Sequence, residues 1–161
     1  MLKSPIFKVE DLEQDTLDQA AALLIQAWQD FAHNSELCEY DRFENSDPVK
    51  WVSNYLAEGG HGFVALDGEK VVGVITCKIG PSPGYFRDSI QLFINDVAVD
   101  GNYRRQGIAE TLELRCEQYA KENDVNLIIG EIYAYNHGSR ALVKKLGRTM
   151  GYETWYKRLK N

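Results

Sequence analysis

Apolar residues along the chain recur at two spacings, and the switches between them predict an order of elements. Residues 6–9 read as a short first strand. Thr16-x-x-Gln19 is a capping-box pattern, and Leu17, Ala20, Ala21, Leu24, Trp28 and Phe31 follow on one helical face. A second helix is predicted from Asp47-Pro48, a carboxylate cap followed by a residue that loses nothing by lacking an N–H, to a stop at Gly59-Gly60. Trp51, Val52, Tyr55 and Leu56 form its expected buried side. Strands over 62–66 and 70–79 flank Asp67-Gly68, a hairpin turn dipeptide. Residues 90–99 are rich in β-branched and aromatic side chains, and Ile108, Leu112, Cys116 and Tyr119 then place a helix over 107–122. A strand over 126–135, a helix from Ser139 to about Arg148 and an aromatic strand over 152–159 complete the pattern.

The predicted order is βααβββαβαβ. Hairpins precede the βαβ part, which implies an α/β (α+β) fold with a mixed, mostly antiparallel central sheet flanked by helices, rather than a doubly wound one. With 161 residues, 44% of them apolar, the expectation is a single domain over residues 1–161 whose core needs no disulfide or structural metal.

Charge and cysteines narrow the function classes. Eighteen Lys and Arg against 24 Asp and Glu give a net charge of −6, the wrong sign for phosphate-driven nucleic-acid binding and a better match to a cationic partner. Cys38, Cys77 and Cys116 are odd in number and widely spaced, so neither a disulfide framework nor a zinc site is suggested, and Cys77 and Cys116 fit as small core residues. Met1 to Phe7 lacks the apolar core of a secretory signal, and no apolar run approaches membrane-spanning length. A cytoplasmic protein with no membrane association is expected.

Two short motifs fail on context. Gly80-Pro81-Ser82-Pro83-Gly84 imitates a nucleophile elbow, but Pro83 has no N–H for an oxyanion and no helix follows. Gly60-His61-Gly62-Phe63-Val64-Ala65 imitates a dinucleotide fingerprint, yet it follows a helix and opens a strand, the reverse of the required order. His33, His61 and His137 are too far apart for a zinc helix.

One segment carries chemistry. The strand ending Asp96-Val97-Ala98-Val99 passes through a short turn into Arg104-Arg105-Gln106-Gly107-Ile108-Ala109-Glu110, where a helix begins. A helix start offers unpaired N–H groups and partial positive charge, Gly107 and Ala109 permit close approach, and two arginines add full charge. That describes a pyrophosphate cradle. An ordinary capped helix beside a solvated arginine pair has the same short pattern.

At this point the sequence resembles the GCN5-related N-acetyltransferase (GNAT) family, whose acetyl-coenzyme A signature is Arg or Gln, two residues, Gly, one residue, then Gly or Ala. Arg104-x-x-Gly107-x-Ala109 matches it. The likeness covers about residues 62–152, and the two amino-terminal helices in order only. It implies that the strand at Val97, Ala98 and Val99 splays from its neighbour and pairs with the pantetheine arm. It implies that Arg104 and the turn Arg105, Gln106, Gly107, Ile108, Ala109 and Glu110 hold the pyrophosphate, and that Asn136, with Ser139 three residues on, touches the cofactor. Acetyl-coenzyme A is the implied cosubstrate, no metal is implied, and homodimers are frequent in the family.

Acetyl transfer needs a neutral amine, and an amine of pKa about 10.4 is unprotonated in roughly one molecule in 2,500 at pH 7. Glu131 matches a base position used by some family members, with Asp96 next in line. Glu131 has a plainer reading as a solvent-facing strand residue, and Asp96 as a cap or an ion-pair partner. The family's leaving-group tyrosine falls on Val143, which donates no proton; Tyr133, Tyr135 and Tyr152 are open substitutes. The same loss suits an acetyl-coenzyme A-binding regulatory or interaction domain. Against the family's pattern four residues are added around Arg148-Thr149-Met150, for which an extra helical turn is the simplest account.

Glu36, Glu39, Asp41, Glu44 and Asp47, opposed only by Arg42, make the segment between the first two helices strongly acidic. With Tyr40, Phe43 and the Tyr85-Phe86 loop it suggests a cleft for a cationic amine, borne by a small molecule or a peptide. A solvated acidic loop explains the same residues.

Overall fold

A computed structural model describes residues 7–35, 37 and 46–159. These fall into two compact units, Met1–Glu131 and Ile132–Asn161. The first unit holds a five-stranded sheet in the order β1-β2-β3-β4-β5, made of β1 (Lys8–Asp11), β2 (Gly60–Asp67), β3 (Lys70–Pro81), β4 (Ile90–Val99) and β5 (Ile128–Gly130). β1 to β4 are antiparallel neighbours, and β5 joins β4 in parallel after a helical crossover. The sheet is therefore mixed and mostly antiparallel, as the pattern of hairpins implies.

Helices cover both faces. α1 (Leu17–Asn34) and α2 (Pro48–Ala57) enclose one core layer with Leu12, Leu24, Val52, Val64, Val74 and Ala98. α3 (Ile108–Glu122) encloses the other with Phe63, Ile75, Cys77, Leu92, Ile94, Leu112 and Cys116. Cys77 and Cys116 are free thiols in that layer.

Local signals set several boundaries. The Asp47 carboxylate accepts the Lys50 N–H at 3.0 Å and Pro48 opens α2. Gly59, at φ +88°, ends it with its N–H on the Leu56 carbonyl. Trp51 differs from its expected burial, at 39% exposed, because Val52 takes the core position.

Other signals are diverted by tertiary contacts. Thr16 does precede α1, but its hydroxyl bonds back to Glu13, and the Gln19 side chain leaves the helix to bond Glu69 and Val71 of the β2–β3 hairpin. The hairpin loop is Gly68-Glu69, one residue later than expected, since Asp67 pairs with Lys70 and only Gly68 takes positive φ.

In the second unit α4 spans His137–Lys145. The proposed extra turn is absent, because Gly147 adopts φ +82° and its N–H and that of Arg148 close back on Lys144 and Val143. The residues from Arg148 follow the helix instead of lengthening it. The strand over 126–135 contracts to β5, and residues 152–159 form no strand, for no described segment pairs with them.

Candidate functional site

β4 changes character at its middle. Leu92, Phe93 and Ile94 pair with Ile128, Ile129 and Gly130 of β5, and there the parallel ladder stops. From Asn95 to Val99 the strand is hydrogen-bonded to β3 on one side, and no described strand takes the other. Thr76 opposes Asp96 while Cys77 opposes Ile94, so Asn95 is the extra residue of a β-bulge. The bulge reverses the alternation. Leu92 and Ile94 face α3, whereas Asp96 and Ala98 turn to the α1 and α2 side.

The free edge leads into a braced turn. Asp100 accepts the Asn102 N–H at 2.9 Å and pairs with Lys70 at 2.8 Å, the contact that lowers its pKa from the usual carboxylate value and raises that of Lys70. Tyr103 donates to Asp67 at 2.7 Å, and Lys70 lies 4.8 Å from the centre of its ring. The β2–β3 hairpin thus holds the segment Gly101–Tyr103 from below.

Beyond it Arg105 takes φ +63° and Gly107 φ +82°. Left-handed backbone costs a non-glycine residue roughly 1–2 kcal/mol, and such strain clusters where ligands bind. Among the described residues no side chain caps α3. Its first backbone bond runs from the Thr111 N–H to the Gly107 carbonyl, which places the amides of the first turn, Ile108 and Ala109 among them, ahead of the helical ladder. Alternating left- and right-handed residues before a helix turn amide hydrogens into one concavity, an anion site. Arg104 reaches back to the Val99 carbonyl and toward Asp30, while Arg105 is exposed beside the concavity. A diphosphate and the extended, amide-bearing arm of an acyl carrier fit the turn and the free strand edge.

Around the bulge lies a group that sequence reasoning did not assemble. Asp96 accepts from Trp28 Nε1 at 2.8 Å and Thr76 Oγ1 at 3.3 Å; burial raises its pKa, and those two hydrogen bonds oppose the rise. Tyr55 donates to the Asn95 side-chain oxygen at 2.7 Å, and burial raises its pKa strongly. Trp51 stacks on Tyr55 at 5.3 Å and meets Trp28 edge-on at 4.8 Å. Only the i, i+4 spacing of Trp51 and Tyr55 was visible beforehand, and it read as core.

The other expected residues belong to separate stretches of the chain. Glu131 is exposed and directly follows the last paired residue of β5. Asn136 is the cap of α4, its Oδ1 accepting the Ser139 N–H at 3.1 Å, which accounts for the spacing between them. Tyr133 and Tyr135 stack on each other at 6.1 Å, Tyr152 is exposed, and Val143 is half-buried on α4. Tyr85 is 86% exposed in the loop between β3 and β4, against Phe86. Glu36, Glu39, Tyr40, Asp41, Arg42, Phe43 and Glu44 lie outside the described residues, as does Cys38. Among the described residues no helix is long and apolar enough to cross a membrane, and no group of three His, Cys, Asp or Glu is placed to hold a metal ion.

N-acetyltransferase 8B of Rattus norvegicus is 31% identical over 104 residues, 64% of this chain and 46% of the relative. N-alpha-acetyltransferase 30 of Homo sapiens is 33% identical over 85 residues, 53% of this chain and 23% of the relative. The chain thus spans less than half the length of these curated relatives. Among solved structures, a mutant protein from Bacillus halodurans superposes with a TM-score of 0.83 at 18% identity, covering 95% of this chain and 99% of that one. An aminoglycoside acetyltransferase from an uncultured soil metagenomic sample, in complex with sisomicin, does so at 0.69 with 20% identity, over 96% and 97%. At those identities the likeness is one of fold. The profile of the Acetyltransferase (GNAT) family matches residues 21–147, and the chain belongs to that family.

Proposed function

We propose that the chain transfers the acetyl group of acetyl-coenzyme A to the primary amine of a cationic acceptor, by direct attack. The observation that carries this reading is the edge of β4, unpaired beyond Ile94 and continuous with the uncapped start of α3. The names of a relative and of a structural neighbour, an N-alpha-acetyltransferase and an aminoglycoside acetyltransferase, support amines of several kinds.

The thioester supplies an activated acetyl group and a thiol of pKa about 8.5, a tolerable leaving group near neutrality. Expulsion therefore survives valine at position 143. The backbone of Val97, Ala98 and Val99 holds the extended arm as an added strand. The N–H groups from Arg105 to Glu110, with the Arg104 and Arg105 side chains, hold the diphosphate. Asn136 spends its oxygen on the α4 cap, leaving its Nδ2 hydrogens for a cofactor contact. As the amine nitrogen bonds to the carbonyl carbon and the C–S bond breaks, the amine proton passes to Glu131, directly or through water.

Thiol release from acetyl-coenzyme A across a panel of small amines and peptides tests the reading. Acceptor-dependent release is expected. Binding without such release favours a regulatory acyl-carrier-binding domain, and absence of binding removes the reading altogether.

A further inference from the structure

Asp96 is a half-buried carboxylate that has no countercharge among the described residues. Its described partners, Trp28 and Thr76, are neutral donors, and no described Lys or Arg forms an ion pair with it. Buried carboxylates are ordinarily paired, because an isolated one is costly. Each Asp96 oxygen accepts one hydrogen bond, and a carboxylate offers about four acceptor positions, so capacity remains. The raised pKa has the same cause, burial uncompensated by a cation.

The surroundings suit a cation. Trp28, Trp51 and Tyr55 gather beside Asp96 and Asn95, with Trp51 open to solvent. Ring faces and a carboxylate together recognise ammonium groups better than either does alone. We propose that Asp96, with Trp28, Trp51 and Tyr55, binds a second, non-reacting ammonium of the acceptor, making diamines or polyamines the preferred substrates. This rests on the acetyltransferase reading.

The bulge supplies the reason for two separate groups. Side chains stand perpendicular to a sheet, whereas the unpaired β4 edge opens in its plane. A cation on Asp96 sits above the sheet on the α1 and α2 side, apart from the edge where the acyl carrier lies. An acceptor that fills both places needs an amine at each end of a short chain.

Diaminobutane and aminobutanol, alike in length and differing in one charge, test the proposal with the whole protein. The diamine is expected to have a kcat/KM about ten- to a hundredfold higher, and to raise the melting temperature where the alcohol does not. Asp96→Asn should erase both differences, with the loss appearing in KM. Trp51→Leu, at an exposed position, should reduce the preference several-fold and serves should Asp96→Asn fail to fold. Equal handling of the two amines overturns the proposal, as does a fall in kcat of similar size with both in Asp96→Asn. A diamine-specific melting shift lost in Asp96→Asn, with no amine acetylated, upholds the cation site and overturns the acetyltransferase reading instead.

Discussion

The two halves of β4 both pair with β3 and differ in what meets their other edge. Over residues 92–94 the backbone is paired to β3 and β5, with Leu92 fully buried and its N–H on the Leu127 carbonyl. Over residues 95–99 β3 alone pairs with it, although Val97, Ala98 and Val99 are as apolar. Side chains hold both halves in the sheet; the backbone of only one is left to recruit a ligand. An unpaired edge is a hazard unless covered, and in the proposed reading an acyl carrier completes the ladder there.

Substitutions on either side of the division should separate stability from function. Leu92→Ala, in the paired half, is expected to cost about 2–5 kcal/mol in denaturant unfolding while the folded protein keeps its affinity for acetyl-coenzyme A. A comparable loss of affinity would mean that the halves are not independent. Glu131→Gln, where β5 pairing ends, should leave stability alone and lower kcat/KM about a hundredfold at neutral pH. That deficit should shrink as pH rises toward the amine pKa of about 10.4, since a neutral amine needs less help. A pH-independent deficit would deny Glu131 its role. Gly107→Val, at φ +82°, should weaken acetyl-coenzyme A binding about tenfold with a small fall in melting temperature. Unchanged affinity would refute the close backbone approach.

The smallest effect concerns Asp96. Because burial raises its pKa in the folded state, the group favours folding when protonated, and that contribution is lost as pH rises through the folded value. Asp96→Asn should accordingly be slightly more stable than the parent near neutrality, measured by melting without ligand. The gap should close as pH falls toward the ordinary carboxylate value of about 3.9. A gap that widens in acid would contradict the assigned cause.

What could be read beforehand was what neighbours in sequence decide. The cap at Asp47, the stop at Gly59, the run of β4 and the glycine at the start of α3 depend on a few adjacent residues, and all are where the pattern placed them. Gln19 was misread because its bonds go to a hairpin some fifty residues away. The bulge at Asn95 leaves no mark in composition, since it follows from the register of β4 against β3; without it Asp96 would share a face with Leu92 and Ile94. The aromatic corner was hidden for the same reason, as Trp28, Trp51 and Tyr55 gain their meaning from the residue they surround. The aromatic pattern of residues 152–159 does not become a strand, because alternation prepares a segment for pairing and cannot provide the partner.

Amide hydrogen exchange with and without acetyl-coenzyme A tests the division of β4 most directly. Slower exchange on addition of the ligand is expected among residues 97–99 and 105–110, with residues 92–94 unaltered, being paired on both sides already. Unchanged exchange across 97–110, or protection spread equally over both halves of the strand, would contradict the account.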